Sequence, residues 1–430
     1  MGIGGAGMSG LALVARALGA EVTGSDRAES SFFARLREAG IEARVGHDEP
    51  PPEGAEIVVS TAIGEDNPEL AAARAAGAPV LHRGDLLGEV SALRRTIAVA
   101  GTHGKTTTAS MVTLALMDAG VDPGFLIGGE LRALGTNAGW GGGPWAVVEA
   151  DESDRSFLKL SREVAIVTSV ELDHHATYRS LGELEQAFES FAESAELAVL
   201  GPGVGLGSAR NSLSYGIDSG DLRAENVELL PLGSRFTVED VEIELAVPGR
   251  HNVLNALAAL AACRAAGVEP AAAAPGLARF TGAGRRFEDH GLTGSGARVF
   301  DDYAHHPTEV RATLTAARTQ EPRRLVACFQ PHLFSRTRLL ARQFGQALAL
   351  ADVVVVLDVY AAREREQDFP GVSGLLVAGA AADAAGGRPV WWLPRQADAE
   401  RFLRDELGEG DVLLTMGAGD VDDLARRLAS

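Results

Sequence analysis

The segment from Gly101 to Thr107 carries the residue types and spacing of a phosphate-binding loop. Glycines at both ends of its turn would let backbone N–H groups face an anion at the start of a helix. Lys105 would reach terminal phosphates, and the Thr106 hydroxyl would bind Mg²⁺. The residue five positions before Gly104 is Val99 and not glycine, so we interpret the loop as a shortened variant. A glycine turn with an incidental lysine is the alternative.

Acidic and histidine side chains follow two further apolar runs. Residues 145–148 lead into Glu149-Ala150-Asp151-Glu152-Ser153-Asp154, and residues 164–170 lead into Glu171-Leu172-Asp173-His174-His175. Carboxylates beside a phosphate loop suit Mg²⁺, and a neutral imidazole can join them as a ligand. The alternatives are a solvated acidic loop and structural histidines. We expect a metal site where these two runs meet the glycine loop.

The chain opens with a glycine pattern that is typical of dinucleotide folds. Residues 2–10 contain GxGxxG, and Asp26 follows a predicted second strand over residues 21–24. The glycines would allow close approach to a diphosphate, and the acid would meet a ribose or its neighbour. Glycines that only let strand and helix pack closely are the alternative. Because only residues 1–3 precede the glycines, we expect upstream residues to complete a central strand.

Polar clusters recur in the second half of the chain. Asn252 and Asn255 are three apart, so both can face one side of a helix start, although Asn252 could be only an N-cap. Arg285 and Arg286 lie in a glycine-rich hinge and could close onto phosphate or form interdomain salt bridges. The run 301–307, Asp-Asp-Tyr-Ala-His-His-Pro, contains more titratable side chains than a helix cap requires, so we expect a functional role for it. We expect simple caps at two other positions, Thr308 and Asp420.

These clusters require strands and helices in alternation. Apolar runs predict strands over residues 97–100, 164–170 and 325–329, and helical periodicity predicts a helix over residues 109–119. Residues 198–247 favour a small antiparallel piece. Ligand sites in open α/β sheets lie beyond the carboxyl ends of strands, and each unusual cluster falls there.

Composition excludes several classes of protein. The chain has 430 residues, enough for two or three domains, and a formal net charge of −20 with a pI near 5.0, which argues against nucleic acid as a partner. Its two cysteines, Cys263 and Cys328, lie in apolar contexts, so we expect buried thiols and no disulfide or zinc site. No apolar run approaches the ~20 residues of a membrane span. We predict a cytoplasmic protein, neither exported nor inserted in a membrane.

Nine motifs in order resemble the Mur ligase family of peptidoglycan synthesis over essentially the whole chain. They are GIGGAGMSG, AGTHGKTTT, EADESD, ELDHH, PGRHNVLNALAAL, GRRFE, DDYAHHPTE, FQPHLFSRT and the terminal GAGD. The opening glycine motif and DDYAHHP favour the alanine-adding branch of the family over later ligases and over the recycling ligase that attaches a whole peptide.

The resemblance implies an α/β protein of three domains. These are a Rossmann-like UDP-substrate domain (residues 1–88), a central P-loop ATPase-type α/β domain (89–281) and a C-terminal Rossmann-like amino-acid domain (282–430). It also implies ATP and Mg²⁺ as cofactors, and amide formation between UDP-N-acetylmuramate and L-alanine through an acyl phosphate. We expect a monomer or a weak homodimer.

The resemblance further implies roles for individual residues. Lys105, His174 and Arg336 would act in catalysis, and Thr106, Glu149 and His174 would bind Mg²⁺. The residues implied for ATP are Gly101, Thr102, His103, Gly104, Lys105, Thr106, Thr107, His251, Asn252, Asn255, Arg286 and Asp302, the last two completing the site on closure. The residues implied for the other substrates are Gly4, Gly5, Gly7, Met8, Ser9, Asp26, Thr61, His82, Arg83, Tyr303, His305, His332 and Ser335.

Three positions depart from the family pattern. Ser169 replaces a common asparagine, Ala176 replaces an acid that often follows the metal histidine, and the stretch 178–191 has no lysine. Several related ligases use a carbamylated lysine in that stretch, so this chain should bind metal without one.

Two other functions compete with a ligase. A nicotinamide-dependent oxidoreductase would suit the opening glycines and Asp26, but it leaves the lysine-threonine loop without a purpose. A non-enzymatic ATP-dependent switch would bind ATP and close without forming a product.

Overall fold

The computed structural model describes residues 1–175, 177–207, 209 and 211–429, so the departure noted at Ala176 lies outside the described residues. Contacts divide the chain into two compact units. The first unit comprises residues 1–225, 237–243 and 254–283, and the second comprises residues 226–236, 244–253 and 284–430. None of the helices in the described ranges combines the length and apolar character needed to cross a membrane.

The first part of unit 1 alternates short strands with helices. The elements are α1 (Ala6–Ala17), β1 (Thr23–Asp26), α2 (Phe32–Glu38), β2 (Glu42–Val45), β3 (Ile57–Val59), α3 (Pro68–Ala75), β4 (Val80–His82) and α4 (Arg83–Ser91). β1 pairs with β2 and β3 with β4, both in parallel. The backbone of residues 1–3 bridges the two pairs, because the Gly2 N–H donates to Ser25 O (2.8 Å) and Met1 O accepts from the Ser60 N–H (3.2 Å).

The rest of unit 1 is built on an eight-stranded sheet in the order β12-β11-β10-β9-β5-β8-β6-β7. Its elements are β5 (Arg95–Ala100), α5 (Lys105–Asp118), β6 (Gly124–Leu131), β7 (Thr136–Trp140), β8 (Trp145–Glu149), β9 (Val164–Val167), α6 (Leu181–Glu193), β10 (Leu197–Leu200), β11 (Ser212–Gly216) and β12 (Leu222–Arg223). Neighbouring strands run parallel except β6 and β7, which pair antiparallel. β5 is central and buried, so the loop that follows it lies at the middle of the carboxyl edge.

Helix α5 is buried on nearly all sides, and its packing depends on a glycine. α7 (Arg250–Ala265) precedes α8 (Pro270–Ala278), which packs against α5. A Cβ at Gly276 in α8 would lie 2.4 Å from Leu114 O in α5. The two helix backbones can therefore approach this closely only because position 276 has no side chain.

A small sheet follows the large one. It contains β13 (Glu225–Leu230), β14 (Gly233–Val238) and β15 (Val241–Leu245), in the order β13-β14-β15. Glu239 and Asp240, between β14 and β15, both have positive φ, as a type I′ hairpin turn requires.

Unit 2 is built on a six-stranded sheet in the order β16-β17-β21-β18-β19-β20, parallel except for β16. The elements are β16 (Glu288–Leu292), β17 (Arg298–Asp302), α9 (Pro307–Arg318), β18 (Leu325–Phe329), α10 (Phe334–Leu348), β19 (Val353–Val356), α11 (Gly374–Ala384), β20 (Val390–Trp392), α12 (Gln396–Glu406), β21 (Val412–Met416) and α13 (Val421–Leu428).

Helices cover both faces of this sheet. Leu325, Ala327 and Phe329 belong to a core that includes α9, α10 and α11, whereas Val326 and Cys328 belong to a core that includes α12 and α13. Side chains alternate across a strand, so β18 supplies both cores. Both cysteines are free and buried, as the sequence predicts.

The structure corrects several element boundaries. Helix α5 begins at Lys105, four residues before the predicted start, and β1 covers residues 23–26 where residues 21–24 are predicted. The predicted cap at Thr308 is wrong, because His306 is the N-cap of α9 and accepts from the Thr308 N–H. Asp420 does stand at the N-cap of α13, but its carboxylate accepts from two glutamine side chains. Helix ends predicted from the sequence pattern are commonly wrong by a few residues, because the hydrogen bonds of capping side chains help to set where a helix begins.

Candidate functional site

The loop between β5 and α5 has a backbone that only its two glycines permit. Gly101 and Gly104 have φ of 130° and 79°. A Cβ at Gly101 would lie 2.1 Å from Thr168 Oγ1, and one at Gly104 would lie 2.5 Å from Asn255 Oδ1. A side chain at either position would therefore strain the backbone and displace a neighbouring group. The loop brings backbone N–H groups to the start of α5, where an anion is stabilised.

Lys105 folds back over this loop and pairs with an acid in the loop after β8, the strand beside β5 in the sheet. Its Nζ donates to Gly101 O (2.6 Å) and lies 2.9 Å from Glu152 Oε2. Burial disfavours the charged amine, but the carboxylates of Glu152 and Asp151 outweigh burial and raise the pKa of Lys105. A permanently charged lysine at the mouth of the loop is suited to a terminal phosphate.

Thr106 and Glu149 form an oxygen-rich pair below the lysine. Thr106 Oγ1 donates to Glu149 Oε1 (3.0 Å), and the Gly128 N–H donates to Glu149 Oε2 (2.7 Å). Burial raises the pKa of Glu149, although the Gly128 N–H and Lys105 act in the opposite direction. A hydroxyl and a carboxylate are hard oxygen ligands, and a divalent cation would offset the cost of burying this carboxylate. These residues fit Mg²⁺.

His174 lies with Glu152, which the sequence-based site does not include. Its Nε2 is 3.2 Å from Glu152 Oε1, and the Glu152 side chain is 1% exposed. Tyr178 Oη donates to the Glu152 backbone carbonyl (2.8 Å). His174 itself has a φ of 53°, an uncommon backbone for histidine. Glu152 thus joins the loop lysine to the histidine, and its place in the acidic run after β8 was the available signal.

The other loop residues form hydrogen bonds with the segment that follows the neighbouring strand β9. Thr102 Oγ1 donates to Glu171 O (3.0 Å), and the His103 N–H donates to Ser169 Oγ (3.1 Å). Ser169, the residue that departs from the family pattern, therefore supports the loop. Thr107 is buried in the first turn of α5, and Asn255 Oδ1 accepts from Thr108 Oγ1 (3.3 Å). The structure brings Asn255 to the same loop.

The opening glycine loop is held by the acid after it. The Gly4 N–H donates to Asp26 Oδ2 (2.8 Å), and a Cβ at Gly4 would lie 2.8 Å from the Phe33 ring. Gly5 is the N-cap of α1 without a capping side chain, so Gly7, Met8 and Ser9 form its first turn. Asp26 thus positions the loop, and the helix start offers N–H groups to an anion.

Thr61, His82 and Arg83 meet the acidic run within unit 1. Arg83 Nε donates to Thr61 Oγ1 (3.2 Å), and its NH2 donates to Asp151 (3.0 Å) and Asp154 (3.1 Å). His82 caps α4 and lies 4.0 Å from Asp154. Desolvation raises the pKa of Asp151, but Lys105 and Arg83 outweigh it and bring that pKa to about 2.

Within unit 2, a charged cluster surrounds the buried end of β17. The Phe287 and Ala304 N–H groups donate to Asp302 (both 2.8 Å), and Arg286 NH1 lies 3.7 Å from Glu309 Oε1. Burial raises the pKa of Asp302 to about 6.

Two other predicted nucleotide residues belong to unit 2. Burial lowers the pKa of His251 to about 4, and the charge of Arg286 acts in the same direction. Asn252 is the third residue of α7 and not the residue before it, and its Nδ2 donates to Pro248 O (2.7 Å). The N-cap interpretation of Asn252 is therefore wrong. Arg285, left open at the hinge, pairs with Asp301 (3.0 Å) and donates to Gly417 O and Gly419 O, so it ties the ends of β17 and β21.

A row of aromatic and imidazole rings lies beyond the strand ends of unit 2. Ring centroids are separated by 5.2 Å between Tyr303 and His305, 6.1 Å between His305 and His332, and 5.8 Å between His332 and Tyr360. Arg336 NH1 lies 3.3 Å from His332 Nδ1. The row brings together three of the predicted residues, Arg336 beside it is a fourth, and Tyr360 is an addition that the sequence did not assign.

Ser335 has a different partner. Its N–H and its hydroxyl both donate to the Glu364 carboxylate, the former at 2.9 Å. Glu364 therefore orients the first turn of α10 and was missed because it lies 29 residues away in the chain.

Three family models match successive parts of the chain. The catalytic domain of the Mur ligase family matches residues 1–95, the Mur ligase middle domain matches residues 99–263, and the Mur ligase glutamate ligase domain matches residues 285–419.

Individual proteins match over the whole length. A Streptomyces coelicolor UDP-N-acetylmuramate–L-alanine ligase is 46% identical, covering 100% of this chain and 96% of that protein. The crystal structure of a Thermotoga maritima UDP-N-acetylmuramate-alanine ligase is similar with a TM-score of 0.85 and 31% identity, covering 99% and 96%. A murein peptide ligase from Psychrobacter arcticus follows with a TM-score of 0.72 and 26% identity, covering 99% and 96%.

Proposed function

Because the chain belongs to the Mur ligase family, we propose that it joins UDP-N-acetylmuramate to L-alanine at the expense of ATP, in peptidoglycan precursor synthesis. The three-domain α/β fold is that of the family. The observation that carries the proposal is the 46% identity over the full chain to a ligase named for those two substrates. The lysine-threonine loop and its acids supply the chemistry that such a ligase needs.

The proposed reaction begins at the loop of unit 1. A carboxylate is a poor electrophile, so the γ-phosphoryl group of ATP is transferred to it and forms an acyl phosphate. Lys105 and the N–H groups at the start of α5 stabilise the charge that develops on the transferred phosphoryl group. Bound Mg²⁺ would supply further charge neutralisation, with Thr106 and Glu149 as proposed ligands. Glu152 keeps Lys105 and His174 in fixed positions.

The second step is attack by the amine of L-alanine on the acyl phosphate. The tetrahedral intermediate collapses and expels phosphate, leaving the amide. We propose the ring row of unit 2, with Arg336, for the amino acid, because a guanidinium suits an α-carboxylate. The roles of His251, Asn252, Arg286 and Asp302 toward ATP, the domain boundaries at 88 and 281, the cytoplasmic location and the monomer or weak homodimer stay predictions.

The test is phosphate release by the purified protein with ATP and Mg²⁺, adding UDP-N-acetylmuramate and L-alanine singly and together. We expect release that requires both, and a product heavier by one alanyl residue. ATP binding without a substrate-dependent product would instead favour the ATP-dependent switch. Binding of a nicotinamide cofactor would favour the oxidoreductase.

A further inference from the structure

Arg83 connects three segments of unit 1 through one guanidinium group. It is the first residue of α4, and its side chain is 17% exposed. Its Nε donates a hydrogen bond to Thr61, and its NH2 donates to Asp151 and Asp154, all at 3.0–3.2 Å. Thr61 Oγ1 also donates to Asp154 Oδ2 (3.0 Å), which closes the network. The guanidinium therefore fixes the acidic run after β8 against the loop after β3.

The remaining nitrogen of Arg83 faces the opening glycine loop. A Cβ at Gly7 would lie 3.2 Å from Arg83 NH1. Among the described residues, no hydrogen bond uses NH1. Gly7 is the second residue of α1, whose start has no capping side chain. The positive end of α1 and the NH1 group thus face the same space, where an anionic oxygen would be stabilised by both.

The acids held by Arg83 also belong to the surroundings of Lys105. The Asp151 carboxylate raises the pKa of Lys105, and the neighbouring Glu152 pairs directly with Lys105 Nζ. The acidic run therefore contacts the glycine loop of the first substrate, through Arg83, and the phosphate loop, through Lys105. A change at one end of this run alters the environment at the other end.

We propose that Arg83 is a positioning residue that couples binding of the UDP substrate to binding of ATP. NH1 contacts an anionic oxygen of the substrate diphosphate, while Nε and NH2 keep Asp151 and Asp154 in place beside Lys105. The substrate oxygen adds a fourth partner to the guanidinium and strengthens its hold on the acidic run, so the conformational entropy lost when ATP binds is smaller. Coupling of this kind is reciprocal, so ATP tightens binding of the UDP substrate by the same factor. This inference rests on the proposed function.

The experiment measures the dissociation constant of a non-hydrolysable ATP analogue with Mg²⁺ by calorimetry, with and without saturating UDP-N-acetylmuramate. In the native protein we expect the substrate to tighten analogue binding about tenfold. In Arg83→Lys, which keeps the charge but cannot hold two carboxylates and an anion together, we expect a ratio near one. Because the readout is the ratio of the two dissociation constants, any effect of the variant on binding of the analogue alone cancels. Asp154→Asn, which leaves Arg83 intact, should reduce the ratio in the same direction.

Arg35→Gln is the matched control. Arg35 pairs with Glu130 (3.2 Å) and so also joins a segment before residue 95 to one after residue 99, and within the described residues no hydrogen bond links it to either loop. It should keep the tenfold coupling. An unchanged ratio in both Arg83→Lys and Asp154→Asn, or a ratio of one in the native protein, would overturn the inference. In either case product formation by the native protein from both substrates would leave the proposed function intact, and its absence would instead reject that function.

Discussion

At the scale of single residues, the site depends on buried charges that are fixed by partners. Glu152 is almost completely buried and contacts both Lys105 and His174. A buried carboxylate is costly unless it is paired, and here it is paired with the Lys105 ammonium, which the carboxylate in turn keeps charged. Lys105 is thereby held charged at the mouth of the phosphate loop before any ligand arrives. Such preorganisation lowers the cost of reorganising the site during reaction.

Replacing Lys105 by alanine should abolish turnover while the protein still folds. We expect kcat to fall by at least about 10²–10³-fold, because a charge that stabilises the transferring phosphoryl group is lost. Folding should survive, since His174 still contacts Glu152. The rate of phosphate release and a thermal unfolding curve check both expectations.

The chain itself offers a matched control, because its only other lysine is Lys159. Lys159 is half-exposed and pairs with Asp85 at the surface. Lys159→Ala should leave kcat within about twofold, since surface ion pairs contribute little. Retained turnover in Lys105→Ala would contradict the role assigned to Lys105.

At the scale of elements, side-chain hydrogen bonds hold neighbouring strands together at their starts. At the amino edge of unit 2, Asp411 precedes β21 and accepts hydrogen bonds from Arg323, which precedes β18, at 3.0 Å, and from Arg324 at 2.7 Å. The Gly408 N–H also donates to this carboxylate (3.0 Å). Strands β18 and β21 are therefore clamped together at their starts, and His332 of the ring row follows the other end of β18.

The stability of the protein should depend on pH through Asp411. Desolvation opposes the charge, but Arg324 and Arg323 outweigh it and lower the pKa of Asp411 from 3.8 to about 2. Because the pKa is lower in the folded state, the contribution is complete above pH 4 and is lost as the pH falls through 2. It amounts to about 2 kcal/mol. Asp411→Asn should lower the free energy of unfolding by about that amount at pH 7.

Urea unfolding at a series of pH values checks this expectation. The difference in unfolding free energy between the native protein and Asp411→Asn should shrink between pH 4 and pH 2. Asp398→Asn is the control, because Asp398 pairs with Arg395 and Arg401 at the surface of α12. A constant difference down to pH 2 would show that the carboxylate of Asp411 is not the group that titrates.

At the scale of the whole molecule, the net charge of the chain has the same sign as the charge of its proposed substrates. The chain carries a formal net charge of −20, yet its proposed substrates are anionic nucleotides. Local cations must therefore act within a repulsive field of longer range. Lys105 and Arg83 are both largely buried and surrounded by acids, so they act on a ligand only at short distance.

Association of UDP-N-acetylmuramate should accelerate as salt is added. Raising the ionic strength from about 0.01 M to about 0.15 M shortens the Debye length from about 30 Å to about 8 Å and screens the repulsion. We expect the association rate constant to rise severalfold, measured by stopped-flow fluorescence. Association of uridine, which is neutral, should not change. A rate that falls with salt would mean that a local positive field dominates.

The sequence by itself determined the alternation of strands and helices, the glycine loop that leads into α5 with Lys105 and Thr106 at its start, and the family. These features are local, since contiguous residues carry the glycine spacing and the apolar periodicity. Only the tertiary structure decided which acidic side chain pairs with which basic one. Arg83 and Asp151 are 68 residues apart, and Lys105 and Glu152 are 47 apart. It also decided that Asp26 holds the glycine loop and that Tyr360 joins His332. Side chains distant in sequence meet because parallel strands end at one edge of a sheet, and the packing that selects among them is not encoded in any local pattern.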